Sequence, residues 1–274
     1  MSLQTSHTGE YSLATGEAAV RRLNTLHAIY GPAGKRVLVQ AGLAPGMRVA
    51  DFGCGVGAVT QVLAEMVGPT GHVTGVDVSS DQLKQAERRC RDAGLHNVSF
   101  VESSATRTEL PRASFDLVYC RFLLLHLTDP PACIREMRAI LKPGGMLVVE
   151  DGDLTAAHSV PPSSIDSFAK LFAGLGPTRG LDYSMSRNLY HLVRDAGFPI
   201  VDVEIHQPAV ARGPHRFLLK WSIEEAGPGC VEAGLLTTDE LNQTLADMQR
   251  DTEDERFLIL MPPMSLVWAR KPSA

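Results

Sequence analysis

The chain reads as an α/β protein, a mostly parallel sheet with helices on both faces, and three observations predict it. Between Met47 and Asp153, short apolar runs alternate with amphipathic helical segments, the rhythm of parallel strands joined by right-handed crossovers. Those runs are almost continuously apolar, as strands are when helices cover both of their faces. A glycine-rich turn, FGCGVGA, joins the first run to the helix that follows, at the end of an open parallel sheet where ligands bind.

Before the alternation, GEAAVRRLNTLHAIY and KRVLVQAGL place Val20, Leu23, Leu26, Ile29, Val37, Leu38 and Ala41 at helical spacing, with Gly42 as a stop. MRVADFG is the first strand, and AVTQVLAEMVG is a helix ended by Gly68-Pro69. HVTGVDV is the second strand. SSDQLKQAERRCRDAG follows as a helix, opened by a Ser79-x-x-Gln82 capping box and closed by Gly94. VSFVES and FDLVYC are the third and fourth strands, PPACIREMRAIL is a helix ending at KPGG, and GMLVVED is the fifth strand.

Past Asp153 the rhythm slackens. IDSFAKLFAGLG, RNLYHLVRDAG, FLLKWSIEEAG and TTDELNQTLADMQR read as helices, while IVDVEIHQ and the terminal MSLVWARK complete seven strands. The stretch from about 155 to 190 interrupts the alternation and is expected over the binding edge of the sheet. We expect one domain in three parts. These are an N-terminal helical cap segment (1–44), a ligand-binding core (45–153), and a cap insertion with the remaining helices and strands of the same sheet (154–274).

The bulk properties exclude several function classes. The 274 residues carry a formal charge of −5, against the basic face that nucleic-acid binding needs. No run of roughly 18 apolar residues exists to span a membrane, and MSLQTSHTGEYS lacks a signal-peptide centre. The five cysteines are odd in number, scattered and never in a CxxC pair, which fits reduced thiols and a cytoplasmic location. Nothing in the sequence indicates a homo-oligomer.

Three ligands compete for the glycine turn. A Walker-type loop needs Lys followed by Ser or Thr, and here Ala58 and Val59 follow Gly57. Gly53-x-Gly55-x-x-Ala58 satisfies the looser dinucleotide pattern, with Asp77 as the later acid. Asp51 argues the other way, because a carboxylate in the turn repels a pyrophosphate and welcomes an ammonium or sulfonium. Gly57 is, moreover, a third alternate glycine that the pyrophosphate motif does not need.

VADFGCGVG, then GVDVS, FDLVYCRFLLLHL and LKPGGMLVVED, taken in order, resemble the class I S-adenosylmethionine-dependent methyltransferases of small-molecule type. The resemblance is dense over residues 45–153 and loose at the last strand. It implies a Rossmann-like fold and S-adenosylmethionine as cofactor. By this resemblance Asp51 helps hold the methionine ammonium, and the backbone of Gly53, Cys54, Gly55 and Gly57 packs against methionine and ribose. Asp77 takes both ribose hydroxyls, and Val78 and Gln82 border the adenine. Where the family often has an aspartate for the adenine amino group this chain reads ESSAT, so Ser104 and Ala105 must stand in. Cys120 and Arg121 end the fourth strand beside the reacting methyl. Tyr11 lies in a leader of the kind that folds over the cofactor in related enzymes.

The transfer itself is an in-line displacement that needs alignment, exclusion of water and sometimes a base. His126, after the fourth strand, is the first candidate base or orienting group, weighed against simple packing in LLLHL. Glu150, Asp151 and Asp153 crowd the end of the fifth strand, where Glu150 or Asp153 could bind a cationic substrate or act as base; the competing reading is an acidic loop that caps a helix. The position where catechol-type metal enzymes place an acid reads YCRF, so no metal is expected. The cysteine–proline and Asn-Pro-Pro-aromatic motifs of nucleic-acid methylases are absent as well. Phe168, Leu171, Phe172, Leu175, Phe217, Leu218, Trp221 and Met248 give the cap an apolar character suited to a hydrophobic or aromatic acceptor. The expected activity is methyl transfer to such a small molecule. The alternatives are a protein that binds the cofactor without methylating and a nicotinamide dehydrogenase.

Overall fold

A computed structural model describes residues 17–273. Tyr11 lies outside the described residues. A 24-residue helix, α1 (Glu17–Gln40), comes first and runs unbroken through Pro32. Next come β1 (Arg48–Phe52), α2 (Ala58–Val67), β2 (His72–Asp77), α3 (Ser80–Asp92) and β3 (Val98–Glu102). β4 (Phe115–Arg121), α4 (Pro130–Ile140) and β5 (Leu141–Gly152) complete the alternation. Then follow β6 (His158–Val160), α5 (Ser167–Arg179), α6 (Leu189–Asp195), β7 (Val201–His206) and β8 (Ala209–Val210). α7 (Leu218–Glu232), α8 (Thr238–Glu253), β9 (Leu258–Leu260) and β10 (Met264–Arg270) end the chain.

The seven-stranded sheet has the order β3-β2-β1-β4-β5-β10-β7. β1 to β5 pair in parallel, and β10 runs antiparallel to both of its neighbours. The order reverses between β1 and β4, so the switch point lies at the carboxyl ends of those two strands. Their register sets Asp51 beside Tyr119. α2 packs with α1 and α3, and α4 with α6, which covers the two faces that the apolar strands require.

Three features differ from the expectations. A small antiparallel sheet, β6-β9-β8, forms where no strands were foreseen, its members being only two or three residues long. α5 and α7 continue past Gly176 and Gly227 through Pro177 and Pro228. The capping box at α3 is half made: Ser79 Oγ accepts from the Gln82 N–H at 3.3 Å, while the Gln82 side chain turns to Gly55 instead. The reciprocal box sits on α8, between Thr237 and Glu240. Among the described residues no helix is long and apolar enough to cross a membrane.

Candidate active site

One cavity of about 1430 Å³ opens at the switch point. Asp51, Gly53, Cys54, Gly55, Asp77, Val78, Gln82, Ser104, Ala105, Arg121 and His126 all line it, so most of the site read from sequence converges on one space.

Asp51 ends β1, and its Oδ2 accepts from Thr60 Oγ1 at 2.6 Å, one turn into α2. Its other oxygen has no partner among the described residues. Burial pushes Asp51 up to about 7, against the Thr60 hydrogen bond and the Arg121 guanidinium, with Asp77 adding to the rise. Gly53 and Gly55 follow with φ of 66° and 55°, the left-handed region where a Cβ is strained. A Cβ at Gly53 would meet Leu123 at 2.8 Å, and one at Gly55 would meet Gln82 Oε1 at 3.1 Å. Asp77 ends β2. Its Oδ2 accepts from the Gly55 N–H and its Oδ1 from the Ser79 N–H, both at 2.9 Å. Each oxygen retains a lone pair. Burial raises its pKa, although the N–H groups of Ser79, Gly55 and Val78 oppose the rise. Val78 is 49% exposed in the same wall, an apolar ledge beside the Asp77 carboxylate. Ser104 turns its hydroxyl to Thr106 Oγ1 at 2.9 Å, which leaves the backbone of this segment as the polar edge.

Strand alternation decides the fourth-strand residues. Tyr119 and Arg121 face the cavity and α1, where Arg121 Nη2 meets His27 Nδ1 at 3.1 Å. Cys120 points the opposite way and is fully buried. It does not line the cavity, which corrects its assignment to the cofactor site. Gly57 is also outside the lining; its φ of 77° lets α2 meet α3, where a Cβ would lie 2.8 Å from Ala86 Cβ.

The acids at the end of β5, Glu150, Asp151 and Asp153, do not line the cavity either. Glu150 is fully buried, and among the described residues neither carboxylate oxygen has a hydrogen bond of good geometry, the Tyr119 hydroxyl being its near neighbour. α1 seals it from above, since a Cβ on Gly34 would meet its oxygens at 2.7 and 2.8 Å. Burial pushes Glu150 up to about 7 while Arg121 and Tyr119 pull it down. Asp153 accepts from Thr155 N and Oγ1 at 3.0 and 2.6 Å and from Arg187 Nε at 2.6 Å. It caps the turn at Thr155 and pairs with Arg187. Asp151 accepts from the Leu124 and Leu125 N–H groups at 2.8 and 3.2 Å and so fixes the turn that carries His126.

The rest of the cavity is mostly apolar. Phe172 packs tilted on Phe168 and edge-to-face on Tyr183, with centroids 4.7 and 5.0 Å apart, and His126 meets Tyr183 at 6.2 Å. Burial, then Arg22 and Arg179, push His126 down to about 4, so its imidazole is neutral at physiological pH. Arg22 on α1 pairs with Glu225 on α7 at 2.7 Å across the cavity wall. Of the cap residues expected at the acceptor, Phe168, Phe172 and Leu218 line the cavity. Leu175 and Met248 are core, and Phe217 stacks on Trp221 away from it. Sequence reasoning missed Thr60, Leu123, Phe122 and the Arg22–Glu225 pair; only contacts across the fold reveal them.

Residues 43–197, more than half of the 274, match the family model described as "Methyltransferase domain". The chain belongs to the class I methyltransferase family. The demethylmenaquinone methyltransferase of Listeria welshimeri is 40% identical over 116 residues, 42% of this chain and 48% of that protein. The chain therefore spans about half the length of the curated relatives it matches. A Bacillus halodurans protein described as a methyltransferase shares the fold with a TM-score of 0.60 at 20% identity, over 87% of this chain and 98% of that one. So does the (4+2)-cyclase SpnF, with a TM-score of 0.54 at 22% identity over 96% and 85% of the two chains. The residues present fit the family's cofactor, S-adenosylmethionine. Among the described residues Asp51 keeps one oxygen without a protein partner, Asp77 keeps a lone pair on each oxygen, and bare glycine backbone lies between them.

Proposed function

We propose that this methyltransferase moves the methyl group of S-adenosylmethionine to a small apolar, aromatic acceptor. The observation that carries the reading is the single two-part cavity. At about 1430 Å³ it exceeds the roughly 300–1,000 Å³ of a one-ligand pocket, and a polar glycine-loop half adjoins an apolar, aromatic half. The name of the Listeria relative, a demethylmenaquinone methyltransferase, supports a quinone-like ring as the acceptor class.

Bound there, S-adenosylmethionine supplies an electrophilic methyl on a cationic sulfur. Asp51 holds the ammonium and is kept ionised by it, and Asp77 takes the two ribose hydroxyls. Phe168, Phe172, Leu218 and Leu219 exclude water and seat a flat ring. Neutral His126 Nδ1 or Nε2 accepts a hydrogen bond or proton from an acceptor hydroxyl, and its low pKa suits it to orienting more than to strong basicity. No step is assigned to Glu150, Asp153 or Cys120.

The competing reading is a cofactor-binding protein with a different chemistry, and the SpnF likeness shows that the fold admits a protein named as a cyclase. Incubation with S-adenosylmethionine and a panel of hydroquinones and phenols separates the two. The proposal expects S-adenosylhomocysteine together with a product heavier by one methyl. Tight cofactor binding with neither product across the panel would sink it.

A further inference from the structure

A second concavity, of about 1060 Å³, adjoins the glycine loop at Val56, which lines both spaces. Its cations come from two helices: Arg21 on α1, and Arg88 and Arg89 on α3. Arg21 lies over the Trp221 ring at 4.4 Å. Arg89 donates to the Val56 carbonyl at 3.0 Å and to Asn24, and Arg88 reaches only the Lys84 carbonyl, at 3.5 Å. Among the described residues none of these three guanidiniums forms an ion pair, although Asp92 lines the same groove. Other arginines of this acidic chain, among them Arg22, Arg112 and Arg187, do form ion pairs.

We propose that this groove is a second binding site, distinct from the cofactor cavity, for a small phosphorylated ligand. Guanidinium forks match phosphate oxygens two at a time. Two of the three are already held, by Trp221 and by Val56 with Asn24, so little freedom is lost on binding. Gln85 and Thr25 add neutral hydrogen-bonding groups, and Val20 and Ala28 give an apolar wall for the rest of the ligand. At about 1060 Å³ the open groove lies near the upper limit of a one-ligand site, and guanidiniums from two helices facing one groove suit a compact anion.

The test is calorimetric titration of inorganic pyrophosphate at low ionic strength into the wild type and into an Arg21→Ala/Arg88→Ala variant. Neither residue touches the cofactor cavity, so a parallel titration of S-adenosylmethionine reports folding and should be unchanged. The expected result is saturable binding, weakened about tenfold or more in the variant. Absence of binding to the wild type, or equal binding to both, overturns the proposal. So does sedimentation with phosphatidylglycerol vesicles that the variant loses while pyrophosphate fails to bind, which would give the groove to a membrane surface.

Discussion

Asp77 shows how much one side chain carries. Its two oxygens anchor the turn through Gly55 and Ser79, and in our reading the same oxygens receive the ribose. Hydrogen bonds to a charged group contribute about 1.5–3 kcal/mol each. Asp77→Ala should therefore weaken S-adenosylmethionine by at least about a hundredfold in calorimetry; unchanged affinity would remove Asp77 from the site. Glu150 makes the opposite case. A buried carboxylate without a well-formed hydrogen bond costs free energy that an apolar side chain does not. Glu150→Leu should keep turnover within a few-fold and melt no lower than the wild type at pH 8, whereas loss of turnover in a folded variant would return Glu150 to the chemistry. His126→Ala should slow turnover and spare cofactor binding. With His126 neutral down to about pH 4, the wild-type rate should show no inflection from this group between pH 6 and 8.

At the scale of elements, the glycine turn splits into two jobs. Gly53 and Gly55 clear space at the cavity, and Gly57 lets α2 close on α3 over Ala86. Gly57→Ala combines a left-handed φ with a 2.8 Å contact and should cost about 2 kcal/mol or more, read as a lower denaturant midpoint. An unchanged midpoint would mean that α3 yields freely. This division also marks what sequence can convey. Apolar runs and helical spacing located every strand of the large sheet; in the central strands burial on both faces writes itself into composition, and the edge strands β3 and β7 kept enough apolar residues to be read. Asp51 and Asp77 were legible because they stand at fixed offsets from the turn. Cys120, Glu150 and Asp153 lie outside the cavity lining for a different reason. Being near a strand end says nothing about which face a side chain takes, and that depends on register against β1 and on α1 closing over Gly34. The strands of the small sheet were too short to leave a pattern.

For the whole molecule, the buried acids make stability depend on pH with a definite sign. Asp51, Glu150 and Asp151 are each pushed up to about 7 by burial, while carboxylates in the unfolded chain ionise near 4. Around pH 6.5 the folded state thus holds protons that the unfolded state has already shed, so stability falls as pH rises through 7. The buried histidines act below this window. His27 and His126, lowered to about 4, favour the unfolded state only where it can protonate them, under about pH 6.5. Between pH 6.5 and 8 the ligand-free protein should therefore melt at progressively lower temperature. S-adenosylmethionine changes this balance at one residue: its ammonium beside Asp51 favours the carboxylate, so binding expels the Asp51 proton and tightens as pH rises from about 6 to 7.5. Above that range the ammonium itself begins to deprotonate. Calorimetry in two buffers of different ionisation enthalpy at pH 6.5 should show net proton release on binding. Proton uptake, or no exchange at all, would separate Asp51 from the ammonium.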